Sequence, residues 1–415
     1  MKVNNSNISV VTKSDLCVGC GICVDICPSH AIIANIKGGR FVPRTNEGLC
    51  KNSKGCHRCM NACPGIGINL LEMSVKRYSE GDVSVHQDVG RFLKCYKGYS
   101  KDSEVRQRAS SGGLVSQFLI WLLENKKIDG VVLTKFDKNA NLKVKSFIAT
   151  CKEEVLSAMG SKYAPVSFHS VINELKKAEG TKYVVVGLPC HVHGLRKLME
   201  IDKKLNDKIV GIFSLFCSGS QTFNYTEYIL KRCGGDVDHL DYLAYRQGNP
   251  TGMVAKGTDF EFKKEYHKYN APLKATFYPR RCLLCVDMFG ELADLCFGDI
   301  QVEKPNNLNF GIGCVIARDK YWLELLSEAY SSGAISISEI SIEALLYKRS
   351  MTKIKKTRNA SFILMLKKIG YIVPVYDSLY EARVNLRIIL KYVVMRTKQF
   401  IGRHKKLWFV LPQIK

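Results

Sequence analysis

From about residue 90 onward, apolar runs alternate with amphipathic stretches. "GLVSQFLIWLLENKK" has the period of a helix, "DGVVLTKF" and "VKSFIATC" read as strands, and "SVINELKKAEG" as a second helix. The alternation continues through "KYVVVGLPC", "HVHGLRKLME", "KIVGIFSLFC" and "TFNYTEYILKRC", strand then helix each time. This predicts an α/β domain built on a mainly parallel sheet over residues 91–345. Upstream, residues 76–90 are polar and charged and read as a linker. Before that lie two small apolar segments, "AIIANI" and "GINLLEM", each predicted as a strand of a small module over residues 1–75. Residues 346–415 form a basic helical extension, in which Arg383, Arg387 and Lys391 recur every four positions among apolar residues. Such a helix suits either an anionic membrane surface or the flank of its own domain.

Cysteine changes this picture most. The chain of 415 residues has 17 cysteines, and its first residues lack the apolar core of a secretory signal. No run reaches a spanning length. The expectation is a soluble cytoplasmic protein whose thiols are reduced and bind metal. Cys17, Cys20, Cys23 and Cys27 fit C-x2-C-x2-C-x3-C-P with Pro28. Cys50, Cys56, Cys59 and Cys63 repeat the motif with a longer first gap and end on Pro64. These are the spacings that hold cuboidal four-iron clusters, whereas structural zinc usually takes two distant C-x2-C knuckles. Residues 14–72 resemble a bacterial two-cluster ferredoxin. In such modules the fourth cysteine of each run serves the other cluster, which implies Cys17, Cys20, Cys23 and Cys63 for one [4Fe-4S] cube and Cys50, Cys56, Cys59 and Cys27 for the second.

The formal charge of +24 raises the question of nucleic acid or another anionic partner. Three clusters would lower it only to about +18, still basic. No nucleic-acid motif accompanies the charge, so the reading is an acidic electron carrier such as ferredoxin or flavodoxin, and no nucleic acid.

Two further cysteines, Cys190 and Cys217, close the strands "YVVVGLPC" and "IVGIFSLFC", where parallel sheets open their ligand crevice. Cys282 and Cys285 form a C-x2-C pair on a loop, so four thiolates could converge on a third cluster; buried packing cysteine is the alternative for the first two. The lone Cys95, Cys151, Cys233, Cys296 and Cys314 read as packing residues. Ser110, Ser111, Gly112 and Gly113 precede a helix, where free N–H groups and the helix dipole favour an anion, although serine beside glycine is also ordinary capping.

Six motifs in order, "ASSGG", "MGSKYAP", "GLPCHVHGL", "LFCSG", "CLLC" and "ADLCFGD", resemble the beta subunit family of coenzyme F420 hydrogenases and dehydrogenases. The resemblance implies a flavoprotein that binds FAD and a [4Fe-4S] cluster and, in archaeal members, exchanges hydride with coenzyme F420. Carried onto this chain, it implies FAD contacts at Ser110, Ser111, Gly112 and Gly113 and at Gly160, Ser161, Lys162 and Tyr163. Lys162 would place positive charge near a pyrophosphate or a reduced ring. Cys190, Cys217, Cys282 and Cys285 would hold the third cluster. The chain departs from the pattern at His191 and His193, where an amide and an apolar residue are expected, and at "LCFGDIQVEK", which lacks a terminal aromatic residue. His191 admits a proton-handling role or simple packing.

The functional expectation is an iron–sulfur flavoenzyme, an oxidoreductase relaying electrons between its clusters and FAD and exchanging hydride with a small-molecule donor or acceptor. It would work with an electron carrier or an oxidoreductase partner subunit. The alternative is a non-catalytic electron-transfer subunit.

Overall fold

A computed structural model describes residues 6–414 apart from 249, 301–310, 348–353 and 378–380. Its centre is an eight-stranded sheet of β1 (Lys94–Ser100), β2 (Gly130–Phe136), β3 (Val144–Ala149), β4 (Tyr183–Gly187), β5 (Ile209–Leu215), β6 (Leu295–Asp299), β7 (Gly313–Ala317) and β8 (Ile335–Glu339). Their order across the sheet is β8-β1-β7-β6-β5-β4-β2-β3. The continuous apolar runs of β4 and β5 are explained by burial on both faces. Val185 and Ile212 enter one core with Phe168 and Leu195, while their neighbours Val184 and Phe213 enter the other with Phe118 and Trp322.

The sheet is mixed rather than mainly parallel. Parallel pairing holds only in the block β2, β4, β5 and β6. At one flank β3 returns antiparallel to β2, because residues 137–143 leave no room for a crossover helix. At the other, β7, β1 and β8 are all antiparallel additions. The ligand crevice predicted for a parallel sheet therefore exists over its middle block alone.

The small N-terminal module is not tethered by an open linker. "AIIANI" contributes the strand Ile32–Ile33, as expected, but "GINLLEM" becomes two strand residues, Gly67–Ile68, followed by the helix Leu70–Arg77. The helix wins because Asp377, from the far end of the chain, accepts hydrogen bonds from the N–H groups of Leu71 (2.9 Å) and Glu72 (2.8 Å) in its first turn. Residues 84–92 then form a hairpin, and Arg77 and Tyr78 are drawn to Asp294 beneath the sheet. The C-terminal extension also joins the module: Val375–Tyr376 pairs with Gly67–Ile68, and the helix α1 (Leu386–Arg403) lays Ile388, Tyr392 and Met395 on its core. Arg383, expected on that helix, precedes its first residue.

Candidate functional site

The thiols of the N-terminal module sort into two groups. Burial pushes Cys20 well above its ordinary value, and the Cys63 and Cys17 thiols push it further. Cys23 is raised by burial and then by Cys20, Cys17 and Cys63. Cys59 is pushed up to about 11 by burial, with Cys63, Cys27 and Cys50 adding to the shift. Cys63, although it closes the second run, thus acts on Cys20 and Cys23 of the first as well as on Cys59, and Cys27 acts with Cys50 on Cys59. Half-buried Cys56 sits on the turn between them. Backbone N–H groups point at the sulfurs: Gly19 donates to Cys17 (3.4 Å) and Gly65 to Cys63 (3.3 Å), contacts that favour thiolates over thiols.

A third thiol group lies where the module meets the sheet. Cys190 occupies the first turn of the helix Pro189–Ile201 that follows β4, and Cys217 lies just past β5. The short helix Arg280–Leu284 brings Cys282 and Cys285 to the same place, and all four line one cavity with Val18 and Arg40 of the N-terminal module. Burial raises Cys190, and Cys217, Cys285 and Cys282 raise it further, followed by Cys20 of the first group. Burial opposes the charge of Lys355, but the Cys285, Cys217 and Cys282 thiols outweigh it and hold that lysine above its ordinary value. Its ammonium donates to the carbonyl of Asp287 (2.8 Å) and reaches the Cys285 sulfur at 3.7 Å.

The junction is tightly knit. Arg281 donates to the carbonyls of Gly65 (3.0 Å) and Pro64 (3.1 Å), Lys197 to that of Cys63 (2.8 Å), and the N–H of Phe168 to that of Cys20 (2.8 Å). Gly194 permits the contact: a Cβ there would come within 2.7 Å of Ile22.

The two motifs expected around FAD also meet. The N–H of Ser161 donates to Ser110 Oγ at 3.0 Å. Gly112 is pressed on the carboxyl end of β1, where a Cβ would lie 2.6 Å from both the nitrogen of Gly313 and the oxygen of Gly98. Gly113 takes a φ of 72° and begins the helix Leu114–Glu124 without a side-chain cap. Lys162 curls back so that its ammonium reaches the carbonyls of Ala158, Met159 (2.9 Å) and Gly160 (3.0 Å). Desolvation draws its pKa down to about 7, and no carboxylate pairs with it among the described residues. Tyr163 packs edge-on against Tyr245 and shares a hydroxyl contact with Tyr266.

Several residues of this region carried no recognisable signal in the sequence. Arg246 has its carbonyl 3.4 Å from Ser110 Oγ, its guanidinium over the Tyr266 ring and an ion pair with Asp299 at 2.8 Å. Its Nε is buried and meets no acceptor among the described residues. Asn359 fixes the C-x2-C loop by donating to the carbonyls of Cys282 (3.4 Å) and Cys285 (2.7 Å). No local pattern could reveal either, because each arrives from a distant segment.

The two histidines that depart from the family pattern are packed. His191 accepts from the N–H of Leu188 at 3.3 Å, lies tilted against the Phe168 ring and is lowered to about 4 by burial. His193 is bonded to Asp287 at 2.9 Å. Of the leftover cysteines, Cys95, Cys296 and Cys314 are buried and Cys233 half-buried, but Cys151 is exposed just ahead of a short helix. The end of "LCFGDIQVEK" lies outside the described residues.

Comparison with known proteins matches these segments in order. The family described as coenzyme F420 hydrogenase/dehydrogenase, beta subunit N-term, matches residues 95–173, and its C-terminus counterpart residues 180–343. A 4Fe-4S binding domain matches residues 10–33. The coenzyme F420-dependent sulfite reductase of Methanocaldococcus jannaschii is 24% identical over 370 residues, 85% of this chain and 52% of that one, so the chain spans about half the length of this relative. The coenzyme F420 hydrogenase subunit beta of Methanococcus voltae is 26% identical over 300 residues, covering 69% of this chain and 99% of its own. A chain in the xenon-derivatized F420-reducing [NiFe] hydrogenase complex of Methanosarcina barkeri shares the fold, with a TM-score of 0.55 and 21% identity over 70% of this chain and 98% of that one. The chain belongs to the coenzyme F420 hydrogenase/dehydrogenase beta subunit family and carries a 4Fe-4S binding domain at its N-terminus.

Proposed function

We propose that this protein is an iron–sulfur flavoprotein oxidoreductase with two [4Fe-4S] clusters in its N-terminal module, a third at Cys190, Cys217, Cys282 and Cys285, and FAD between the Ser110 and Ser161 segments. The observation that carries the reading is adjacency: Val18 and Arg40 of the N-terminal module line the cavity that Cys190, Cys217, Cys282 and Cys285 share. When bound, the clusters supply one-electron transfer and the flavin the two-electron exchange with coenzyme F420 or another small acceptor.

The chain's own residues set the terms. Arg40, Lys197 and Lys355 offset thiolate charge that burial would otherwise penalise. Lys162 and Arg246 give the flavin segment two cations suited to phosphates or an anionic ring, and the Gly112 and Gly113 backbone allows close approach. The basic surface favours an acidic electron carrier, and the relatives named as hydrogenase subunits support an oxidoreductase partner subunit.

Anaerobic spectroscopy tests this reading. Coenzyme F420 in its reduced form, reduced nicotinamides and reduced ferredoxin are offered in turn, and at least one is expected to bleach the flavin and cluster bands together. A flavin that responds while the cluster bands stay fixed would sink the relay.

Lys162 adds a pH signature. Its pKa of about 7 in the ligand-free protein lies below the unfolded value, so the unfolded chain holds more protons between these values and the fold without ligand gains stability as pH rises through that window. An anionic ligand restores the lysine's charge and takes up a proton above pH 7. FAD affinity of the deflavinated protein, followed by equilibrium dialysis, should therefore fall by up to about tenfold per pH unit above neutrality. Lys162→Met should bind weakly with no such slope.

A further inference from the structure

The helix α1 faces two ways. Its inner side is clamped on the N-terminal module through Tyr392 and Met395 and an ion pair from Arg403 to Asp15 at 2.7 Å, while the buried amide of Gln399 donates to the carbonyl of Pro279 at 3.4 Å. Its outer side carries Leu386, Ile389, Leu390, Val393, Val394 and Phe400, which are 39 to 70% exposed. At 100° per residue these six positions form one continuous stripe, so the apolar face is a property of the helix and not scattered side chains. The clamp prevents the helix from rolling to bury it. Stripes of this kind on a soluble surface mark an interaction site.

Charge identifies the occupant. From Ala382 to Lys415 the sequence contains nine Lys and Arg and no Asp or Glu. Arg387, Lys391 and Lys398 are exposed along one border of the stripe, and Arg383 is exposed just before the helix. Phe409 and Val410 extend the exposed apolar surface past the helix end. A protein surface would need an apolar groove with a separate acidic rim to match this; a bilayer with anionic headgroups presents both layers at once. No helix among the described residues is long and apolar enough to cross a membrane, so α1 would lie in the interface plane.

We propose that the outer face of α1 is a peripheral membrane anchor that seats this protein on an anionic bilayer, with the apolar stripe in the acyl boundary and the flanking cations at the headgroups. The anchor leaves the cofactor sites untouched, because its residues do not contribute to any of the three thiol groups or to the Ser110 and Ser161 segments.

Flotation of the anaerobically purified holoprotein with vesicles tests the proposal. The protein should float with vesicles of equal parts phosphatidylcholine and phosphatidylglycerol, stay behind with phosphatidylcholine alone, and be released by raised salt. Arg387→Gln and Lys391→Gln should each weaken partitioning by about fivefold. Leu390→Glu combined with Val394→Glu should abolish it with iron and flavin content unchanged; if that variant loses iron, the salt release and the two glutamine variants decide instead. Equal binding to both vesicle types would overturn the anionic assignment. Failure to bind either type at low salt would overturn the anchor, and a dimer in sedimentation that the double glutamate variant breaks would give the stripe to a second copy of the chain.

Discussion

Replacing Cys63 with serine is expected to remove the cube whose other ligands are Cys17, Cys20 and Cys23, although Cys63 belongs to the second cysteine run. The reason is the family's crossed ligation, with which the thiols agree: Cys20 and Cys23 both respond to the Cys63 thiol, and Cys59, which also responds to Cys63, responds to Cys27 and Cys50. A double variant separates this crossing from a simple reading of each run as one site. Cys17→Ser combined with Cys63→Ser should lose about four irons, no more than either change alone, because both strike one cube. Cys50→Ser combined with Cys63→Ser should lose about eight. Uncrossed runs would reverse the two results, and iron analysis of the purified variants distinguishes them.

The second large effect lies away from the thiols. Asp294 is fully buried, and its carboxylate accepts from Arg196 (2.8 Å), Arg77 (3.2 Å), Tyr78 (3.3 Å) and the N–H of Ile212 (2.7 Å). One side chain thus joins the helix Pro189–Ile201, the segment after the N-terminal module, and β5. Burial pushes its pKa up, but the two arginines and the Ile212 N–H outweigh this and keep it below its ordinary value. Asp294→Ala leaves Arg196 charged and buried without its acid, and half-exposed Arg77 keeps only part of its solvation. Breaking a buried pair in this way costs about 3 to 5 kcal/mol. Urea unfolding of the anaerobic protein should show that loss, whereas Asp319→Ala, whose carboxylate caps the helix Lys320–Ser331 through the N–H of Trp322, should lose no more than about 2 kcal/mol.

These two sites show what the sequence made legible. Spacing alone located the eight N-terminal cysteines, because short loops force consecutive thiols together whatever surrounds them. The strand and helix periods between residues 114 and 232 located the middle of the sheet and hence the crevice with Cys190 and Cys217. Asp294 and Asp299 stood inside a recognised motif, "ADLCFGD", yet nothing local says that the first holds two arginines beneath the sheet and the second holds Arg246 beside the Ser110 segment. Strand direction was misread at the sheet's flanks, because a continuous apolar run reports burial on both faces and not the sense of pairing. Residues 76–90, read as a linker from their polarity, include Arg77 and Tyr78, which bond to Asp294, and one strand of a short hairpin, neither of which a local pattern reports.

Iron, acid-labile sulfide and flavin measured on one anaerobically purified sample separate a three-cluster flavoprotein from a two-cluster carrier. About twelve irons, as many sulfides and one FAD per chain are expected. About eight irons with no flavin would contradict this, leaving a two-cluster electron carrier whose larger domain serves only to dock a partner.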